Sequence, residues 1–151
     1  MLELRIPPPL VMLSVAGAMW AIAPSGPSLG LPEDLRIWLA GGIALIGAAI
    51  DVTSILSFRR AKTTINPMKP RATSALVTTG TYKYSRNPMY VGLLFFLLAW
   101  AAYLGSALTL AGPVLFVLYM NRVQITPEEK VLAEMFGTSY SEYCVRVRRW
   151  F

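Results

Sequence analysis

Four stretches of the chain are long and apolar enough to lie in a membrane, at residues Ile6–Ala23, Leu35–Phe58, Met89–Leu104 and Ala107–Met120. As one helix, the last two would extend about 48 Å, which exceeds the ~30 Å hydrocarbon core of a bilayer. We therefore predict that they fold back at Gly105-Ser106 as a helical hairpin. The pattern predicts an all-α integral membrane protein with about four transmembrane helices.

The first stretch has an alternative interpretation as a cleaved signal peptide. Arg5 precedes its apolar residues, and Ala21 and Ala23 resemble a small-x-small cleavage site. Pro24 would directly follow the cut, where we expect it to block cleavage. We therefore expect this stretch to remain as a membrane span.

Composition agrees with the membrane interpretation. Hydrophobic residues make up 55% of the chain and charged residues 15%, against about 45–50% and about 25% in soluble domains. The net charge is +6, and anionic lipid headgroups suit this charge better than nucleic acid does. With one cysteine and no histidine, zinc hydrolases and Ser-His or Cys-His catalysis are excluded.

The charges of the loops predict the orientation. Residues 59–88 contain seven Lys or Arg and no acid, whereas residues 24–34 contain two acids and no base. Basic loops favour the cytoplasmic side. Four spans then place both termini in the cytoplasm, together with the tail over residues 121–151.

The tail is predicted to be helical. Pro127 followed by two acids is typical of a helix start, and Gly137 is expected to end that helix. A second short helix from Ser139 is expected to hold Tyr140 and Tyr143 against the membrane.

The polar residues of the chain gather at the predicted cytoplasmic membrane face rather than along a transmembrane path, which argues against a transporter. They come from residues 80–90 and from the pair Glu128-Glu129. A pocket between these two segments would combine hydrogen-bond donors, acceptors and aromatic faces. Further motif residues precede and follow them, at Thr63–Pro67, Leu76–Thr79, Val91-Gly92, Leu132, Phe136-Gly137, Tyr140, Tyr143, Val147 and Arg149.

In order and spacing, these motifs resemble the isoprenylcysteine carboxyl methyltransferase and phospholipid methyltransferase family of membrane enzymes. The resemblance covers residues 59–151, while residues 1–58, with the first two spans, match only in hydrophobic character. We treat residues 1–151 as a single domain. The resemblance implies methyl transfer from S-adenosylmethionine at the cytoplasmic face, to a lipophilic acceptor arriving from the bilayer. Such a displacement needs no metal, since positioning and electrostatics supply the rate.

The resemblance also implies residues that bind the cofactor. Thr78 lies in a matched segment, and Gly80 would let the backbone approach the cofactor. Tyr82 and Tyr90 would offer ring faces to adenine or to the sulfonium. Asn87 would hydrogen-bond the cofactor. For both tyrosines the alternative is an interfacial membrane belt.

Three further residues carry implied roles. Arg86 has a guanidinium fork suited to a carboxylate of the cofactor or of the acceptor, with lipid headgroup binding as the alternative. Pro88 begins the third span and restricts the preceding backbone. Glu129 is the expected acid of the site, holding cofactor hydroxyls or facing the sulfonium. Glu128 is expected to be a surface charge at a helix start.

Other polar residues have less specific interpretations. Asp51 is either paired with a neighbour or functional, and Cys144 is expected to pack without reacting. Arg146, Arg148, Arg149, Trp150 and Phe151 together are expected to lie on anionic lipid.

The function retains alternatives. The acceptor is a prenylcysteine-type carboxylate, an aminolipid headgroup or another lipophilic molecule, and the sequence does not indicate an oligomeric state. Two other classes compete with a methyltransferase: a membrane reductase using a reduced nicotinamide cofactor, and a non-catalytic scaffold of the same fold. The shortness of the chain argues against the reductase, and the joint presence of Arg86, Tyr90 and Glu129 argues against the scaffold.

Overall fold

The computed structural model describes residues 6–61 and 75–151, and these residues are mostly helical. The helices are α1 (Pro8–Ile22), α2 (Glu33–Arg60), α3 (Pro88–Leu104), α4 (Ala111–Tyr119) and α5 (Thr126–Arg146). Single 3-10 turns lie at Ala23–Ser25, Gly80–Lys83 and Ala107–Leu110. Within the described ranges, β-structure is limited to one bridge, between Ser28 and Ser106. The prediction of an all-α membrane protein is confirmed.

Three helical segments of the described chain are long and apolar enough to cross a membrane, namely Pro8–Ser25, Glu33–Arg60 and Ala107–Arg146. Helix α3 is apolar but shorter, at 17 residues. All four predicted apolar stretches are therefore helical. The number of crossings stays a prediction.

The turn between α3 and α4 forms where the sequence predicts it. Gly105 adopts the left-handed conformation, with φ of 64°, which glycine reaches without steric cost. The Gly105 carbonyl accepts a hydrogen bond from the Leu29 amide at 2.8 Å, and the Ala107 amide donates to the Pro27 carbonyl at 2.9 Å. The loop between α1 and α2 is thus tied to this turn.

The expectation that a separate tail helix starts at Pro127 is wrong. A π-helical turn over Met120–Ile125 joins α4 directly to α5. Pro127 has no amide hydrogen to donate to the preceding turn, and the wider π turn lies next to that missing bond. The Thr126 hydroxyl donates to the Asn121 carbonyl at 2.7 Å. At Gly137 the backbone leaves the helical region, with φ of 50° and ψ of −123°, so the predicted division of the tail helix is confirmed as a kink.

Helices α2 and α3 form the main helix pair because small residues let them approach. A Cβ at Gly47 would lie 2.9 Å from the Phe95 Cβ and 3.0 Å from the Gly92 carbonyl. Close approach through small residues is typical of membrane helices. Helix α1 joins this pair through the Trp100 indole, which donates to the Ala16 carbonyl at 3.1 Å.

Large apolar side chains cover the outside of α1 and α2. Trp20, Trp38 and Leu45 are each about two-thirds or more exposed, at 67%, 79% and 72%. Such surfaces are unfavourable in water and favourable in lipid. One cluster of buried apolar side chains between the helices includes Met19, Leu97, Phe116, Met120 and Ile125.

Candidate active site

The two polar segments singled out in the sequence meet in the structure. A small cavity of ≈ 60 Å³ lies between the start of α3, the 3-10 turn at residues 80–83 and the first turn of α5. We call it the site cavity, and its lining residues are Phe58, Tyr82, Arg86, Asn87, Met89, Tyr90 and Glu128. It therefore combines a cation, a carboxylate, an amide and four apolar or aromatic side chains.

Tyr82 forms one wall of the site cavity and is held from two sides. Its ring packs edge-on against Phe58, with 5.3 Å between ring centroids. Its carbonyl accepts a hydrogen bond from the Tyr143 hydroxyl at 2.7 Å. Burial raises the pKa of Tyr82, and the charge of Glu128 raises it further. The Tyr82 phenol is therefore a neutral aromatic surface at physiological pH.

Glu128 is the acid that faces the cavity. Its Oε2 accepts a hydrogen bond from the buried Tyr90 hydroxyl at 2.8 Å. The expectation that Glu128 is a surface charge at a free helix start is wrong, because α5 continues α4 through the π turn and carries this residue against α3. The predicted alternative for Tyr90, an interfacial belt, is also wrong, since its ring is only 6% exposed within the protein.

Glu129 lies one residue further on and faces a different neighbour. Its two oxygens bind the Arg149 guanidinium through Nε at 3.2 Å and Nη2 at 2.6 Å. The Arg86 Nη2 approaches the same carboxylate at 3.3 Å. Adjacent helical residues point about 100° apart, so one acid borders the cavity while the other bridges two arginines.

Arg86 connects the cavity to this ion pair. One guanidinium nitrogen donates to the Cys144 sulfur, and Nη2 meets Glu129. Its Nε is buried and has no hydrogen-bond partner within the described residues. Burial lowers the pKa of Arg86, but the Glu129 carboxylate and Cys144 raise it, and the net shift is upward. Arg86 therefore stays charged, and its Nε hydrogen has no acceptor in the part of the chain that the structure describes.

Residues 147–151, here called the C-terminal strap, cross the loop before α3. The Arg148 carbonyl accepts from the Arg86 amide at 2.9 Å, and the Arg149 carbonyl accepts from the Asn87 side chain at 3.0 Å. The Trp150 indole donates to the Asn121 side chain at 3.0 Å. The expectation that Arg149 and Trp150 lie on lipid is therefore wrong, because both hold protein groups around the site.

The tyrosines of the second tail helix also pack inside the protein. Tyr140 and Tyr143 are 5% and 3% exposed and form a cluster with Val147. The expectation that they lie against the membrane is wrong. Cys144 packs against this cluster as expected, and it also accepts the hydrogen bond from Arg86.

Besides Glu129, three other residues expected to bind cofactor do not line the site cavity. Gly80 has φ of 65°, and a Cβ there would meet the Ser57 hydroxyl, so this glycine gives close packing against α2. Pro88 is buried at the first position of α3, and Thr78 is half-buried. Their binding roles stay predictions, and the motif Thr63–Pro67 lies outside the described residues.

Asp51 lies next to α3 rather than at the cavity. A Cβ at Gly92 would collide with its carboxylate, so the glycine makes room for the acid. One Asp51 oxygen is buried and has no hydrogen-bond partner in the part of the chain that the structure describes.

Phe58, Met89 and Glu128 are cavity residues that sequence reasoning missed as binding residues. Glu128 and Met89 lie inside the matched motifs, so these motifs were the available signal. Phe58 carried no such signal, because in the sequence it is simply the last residue of an apolar run.

Comparison with known proteins gives a family match over most of the chain. The profile of the phospholipid methyltransferase family matches residues 35–139. An uncharacterized protein of Haemophilus influenzae is 45% identical over 62 residues, which are 41% of this chain and 98% of that protein.

Named relatives are more distant. Protein-S-isoprenylcysteine O-methyltransferases of Saccharomyces cerevisiae and Schizosaccharomyces pombe are 34% identical over 83 residues and 39% identical over 74 residues. These matches cover 50% and 48% of this chain but 31% and 30% of the yeast proteins. Protein-S-isoprenylcysteine O-methyltransferase B of Arabidopsis thaliana is 28% identical over 109 residues, 68% of this chain and 52% of that enzyme. The chain thus spans about a third to a half of these named relatives.

Proposed function

Since this chain belongs to the phospholipid methyltransferase family, we propose that it transfers a methyl group from S-adenosylmethionine to a lipophilic acceptor at the cytoplasmic membrane face. The proposal depends above all on one observation: the Glu128 carboxylate, two tyrosine rings and a guanidinium whose Nε has no partner among the described residues surround one cavity. S-adenosylmethionine supplies a methyl group activated by a positively charged sulfur.

The chemistry of the lining residues suits this cofactor. The Glu128 carboxylate and the faces of Tyr82 and Tyr90 favour a cationic group, and the Arg86 Nε favours a carboxylate. The cavity of ≈ 60 Å³ encloses only part of a molecule of this size. We propose that these residues hold the part that carries charge, and that the rest extends beyond the cavity.

The residues would act by positioning rather than by proton transfer. The C-terminal strap and Glu129 fix Arg86, and Glu128 fixes the Tyr90 hydroxyl. A fixed polar environment lowers the barrier because it needs no reorganisation during the reaction. A carboxylate acceptor needs no base. We therefore favour a prenylcysteine-type carboxylate, the acceptor chemistry in the names of the fungal and plant relatives.

Binding of the cofactor can be tested with the purified protein in detergent. Calorimetry with S-adenosylmethionine, its demethylated product and reduced nicotinamide dinucleotide phosphate compares the two enzyme classes. We expect binding of the first two ligands and none of the third. Arg86→Ala should weaken binding by about tenfold or more, because one charge-assisted hydrogen bond is worth ~1.5–3 kcal/mol. Binding of the nicotinamide cofactor alone would overturn the proposal.

Turnover requires an acceptor. Labelled methyl groups should pass from the cofactor into a farnesylcysteine analogue with a free carboxylate, and not into its methyl ester. Transfer into an aminolipid instead would keep the methyltransferase proposal and reject the carboxylate acceptor. No transfer into either acceptor, with the cofactor bound, would support a non-catalytic scaffold.

The cytoplasmic location rests on the charge difference between the loops. Single cysteines at Lys83 and Ser28, in a Cys144→Ser background, test it by labelling of intact cells. Both positions are exposed. We expect Ser28→Cys to react with an impermeant reagent and Lys83→Cys to react only after lysis. The opposite pattern would place the site on the other face.

A further inference from the structure

A second candidate site lies at the end of α3 remote from the site cavity. Helices α2 and α3 pack closely at Gly47 and leave a furrow of ≈ 500 Å³ between them further along. We call it the α2–α3 furrow, and its lining residues are Ile37, Ala40, Gly41, Ala44, Phe96, Ala99, Trp100 and Tyr103. On each helix these residues have i, i+3, i+4, i+7 spacing, so they form one continuous stripe per helix.

The two walls of the furrow differ in size and rigidity. The α2 wall is low because Ala40, Gly41 and Ala44 are small. The α3 wall is high and fixed, since the Trp100 and Tyr103 rings stack at 5.3 Å with 13° between their planes. The Trp100 indole is held by its hydrogen bond to α1. Along the axis, the stripe from Ile37 to Ala44 is about 10 Å long.

A polar pocket continues the furrow at its outer end. It has a volume of ≈ 230 Å³ and is lined by Glu33, Arg36, Ile37, Tyr103 and Leu104. We call it the headgroup pocket. Ile37 and Tyr103 belong to both cavities, so the apolar furrow and the polar pocket are contiguous.

The headgroup pocket contains one cation and one anion. Arg36 donates from Nη1 to the Tyr103 and Leu104 carbonyls at 3.4 Å each, which are long bonds. Its Nε is buried without a hydrogen-bond partner among the described residues. Glu33 is exposed, one helical turn before Arg36. An apolar furrow that ends between a guanidinium and a carboxylate complements a chain attached to a zwitterion.

We propose that the α2–α3 furrow and the headgroup pocket bind one phospholipid with a primary-amine headgroup. An acyl chain lies in the furrow, the phosphate meets Arg36 and the ammonium meets Glu33. A guanidinium matches phosphate geometry, and a primary ammonium donates hydrogen bonds to a carboxylate. Because this site lies at the opposite end of α3 from Arg86 and Tyr90, it is independent of the proposed methyl transfer.

Gly41 and Gly42 provide a matched pair of variants. A Cβ at either position would have no atom within 4 Å, so both accept a larger side chain, but only Gly41 lines the furrow. Gly41→Leu should fill the furrow, and Gly42→Leu should add the same side chain outside it. Glu33→Gln, at an exposed position, removes the anion of the headgroup pocket without touching the furrow.

The experiment uses the full chain in nanodiscs of equal parts phosphatidylethanolamine and phosphatidylglycerol, followed by mild detergent extraction and native mass spectrometry. The wild type and Gly42→Leu should retain one phosphatidylethanolamine. Gly41→Leu should reduce this retention by about tenfold, because the acyl chain loses its place in the furrow. Glu33→Gln should abolish the preference over phosphatidylglycerol, because the ammonium loses its carboxylate partner. Binding of S-adenosylmethionine should be the same in all of these variants.

Two results would overturn the proposal. One is equal lipid retention by Gly41→Leu and Gly42→Leu, which indicates only a general lipid layer. The other is a wild-type preference for phosphatidylglycerol or no preference at all. If Gly41→Leu does not fold, Glu33→Gln decides: an unchanged preference for phosphatidylethanolamine rejects the proposal, and its loss supports it.

Discussion

Replacing Glu129 by glutamine should destabilise the protein more than the same replacement of Glu128. Glu129 receives two hydrogen bonds from Arg149 and an ion-pair contact from Arg86. Glutamine keeps the shape of the side chain but removes the negative charge that two guanidinium groups share. Glu128→Gln removes a charge that has one hydrogen bond, from Tyr90, and an amide oxygen can still accept that bond.

The cost of Glu129→Gln follows from burial. The Glu129 and Arg86 side chains are 18% and 16% exposed, and Arg149 is 36% exposed. Exposed ion pairs contribute about 0–1 kcal/mol, whereas breaking a buried pair costs about 3–5 kcal/mol. A largely shielded cluster lies between these limits. We expect Glu129→Gln to lower the free energy of unfolding by about 2 kcal/mol, and Glu128→Gln by under about 1 kcal/mol.

Denaturant unfolding in detergent, followed by tryptophan fluorescence, measures the difference. Glu142→Gln is the matched control, because it makes the same change at an exposed position of α5. Turnover is then measured for all three variants. We expect Glu128→Gln to lose turnover with little change in stability, and Glu129→Gln to lose both. If Glu129→Gln unfolds like Glu142→Gln, the ion cluster does not stabilise the site.

The structure supports three further predictions. In calorimetry, Arg86→Lys should lose nearly as much cofactor affinity as Arg86→Ala, because one ammonium nitrogen cannot replace three guanidinium nitrogens that point in different directions. Near-wild-type affinity of Arg86→Lys would refute a role for the guanidinium geometry. Gly80→Ala should cost about 1–2 kcal/mol of unfolding free energy for its positive φ and more because its new Cβ would meet the Ser57 side chain of α2. The total loss should exceed that of Gly30→Ala, which has a similar φ of 69° but open space around it; equal losses would contradict this. Tyr143→Phe removes the hydroxyl bonded to the Tyr82 carbonyl and should speed backbone amide exchange around Tyr82, whereas unchanged exchange would show that this bond does not fix the wall.

The helices were predictable because membrane burial imposes a simple pattern. In lipid, a run of apolar residues of the right length must form all its backbone hydrogen bonds within one helix. This requirement predicted the bounds of α1, α2 and α3 to within a few residues. Gly105 and Gly137 were equally predictable, since positive φ at a bend or kink favours glycine. The close packing at Gly47 has an equally simple cause, because small residues in a membrane helix let a neighbouring helix approach.

The orientation of the two acids was not predictable from hydropathy. Which of Glu128 and Glu129 borders the cavity depends on a rotation of about 100° per residue, and this rotation is set by a π turn that has no clear apolar signature. Arg149 was misassigned for another reason. A basic, aromatic segment resembles a lipid-binding tail, and only the fold brings it to Glu129, 20 residues earlier.

The π turn at Met120–Ile125 has a consequence for the chain lengths that the fold accepts. A π turn holds one residue more than an α turn, so the residues beyond it face as they would in a regular α-helix that is one residue shorter. If one residue between Met120 and Ile125 is deleted, this segment can form a regular α-helix, and Glu128 and Glu129 still face their partners. Helix α4 contains no extra residue of this kind, so a deletion within it would turn both acids by about 100°. Shortened sequences should be accepted at this one point of the fourth helix and rejected on either side of it.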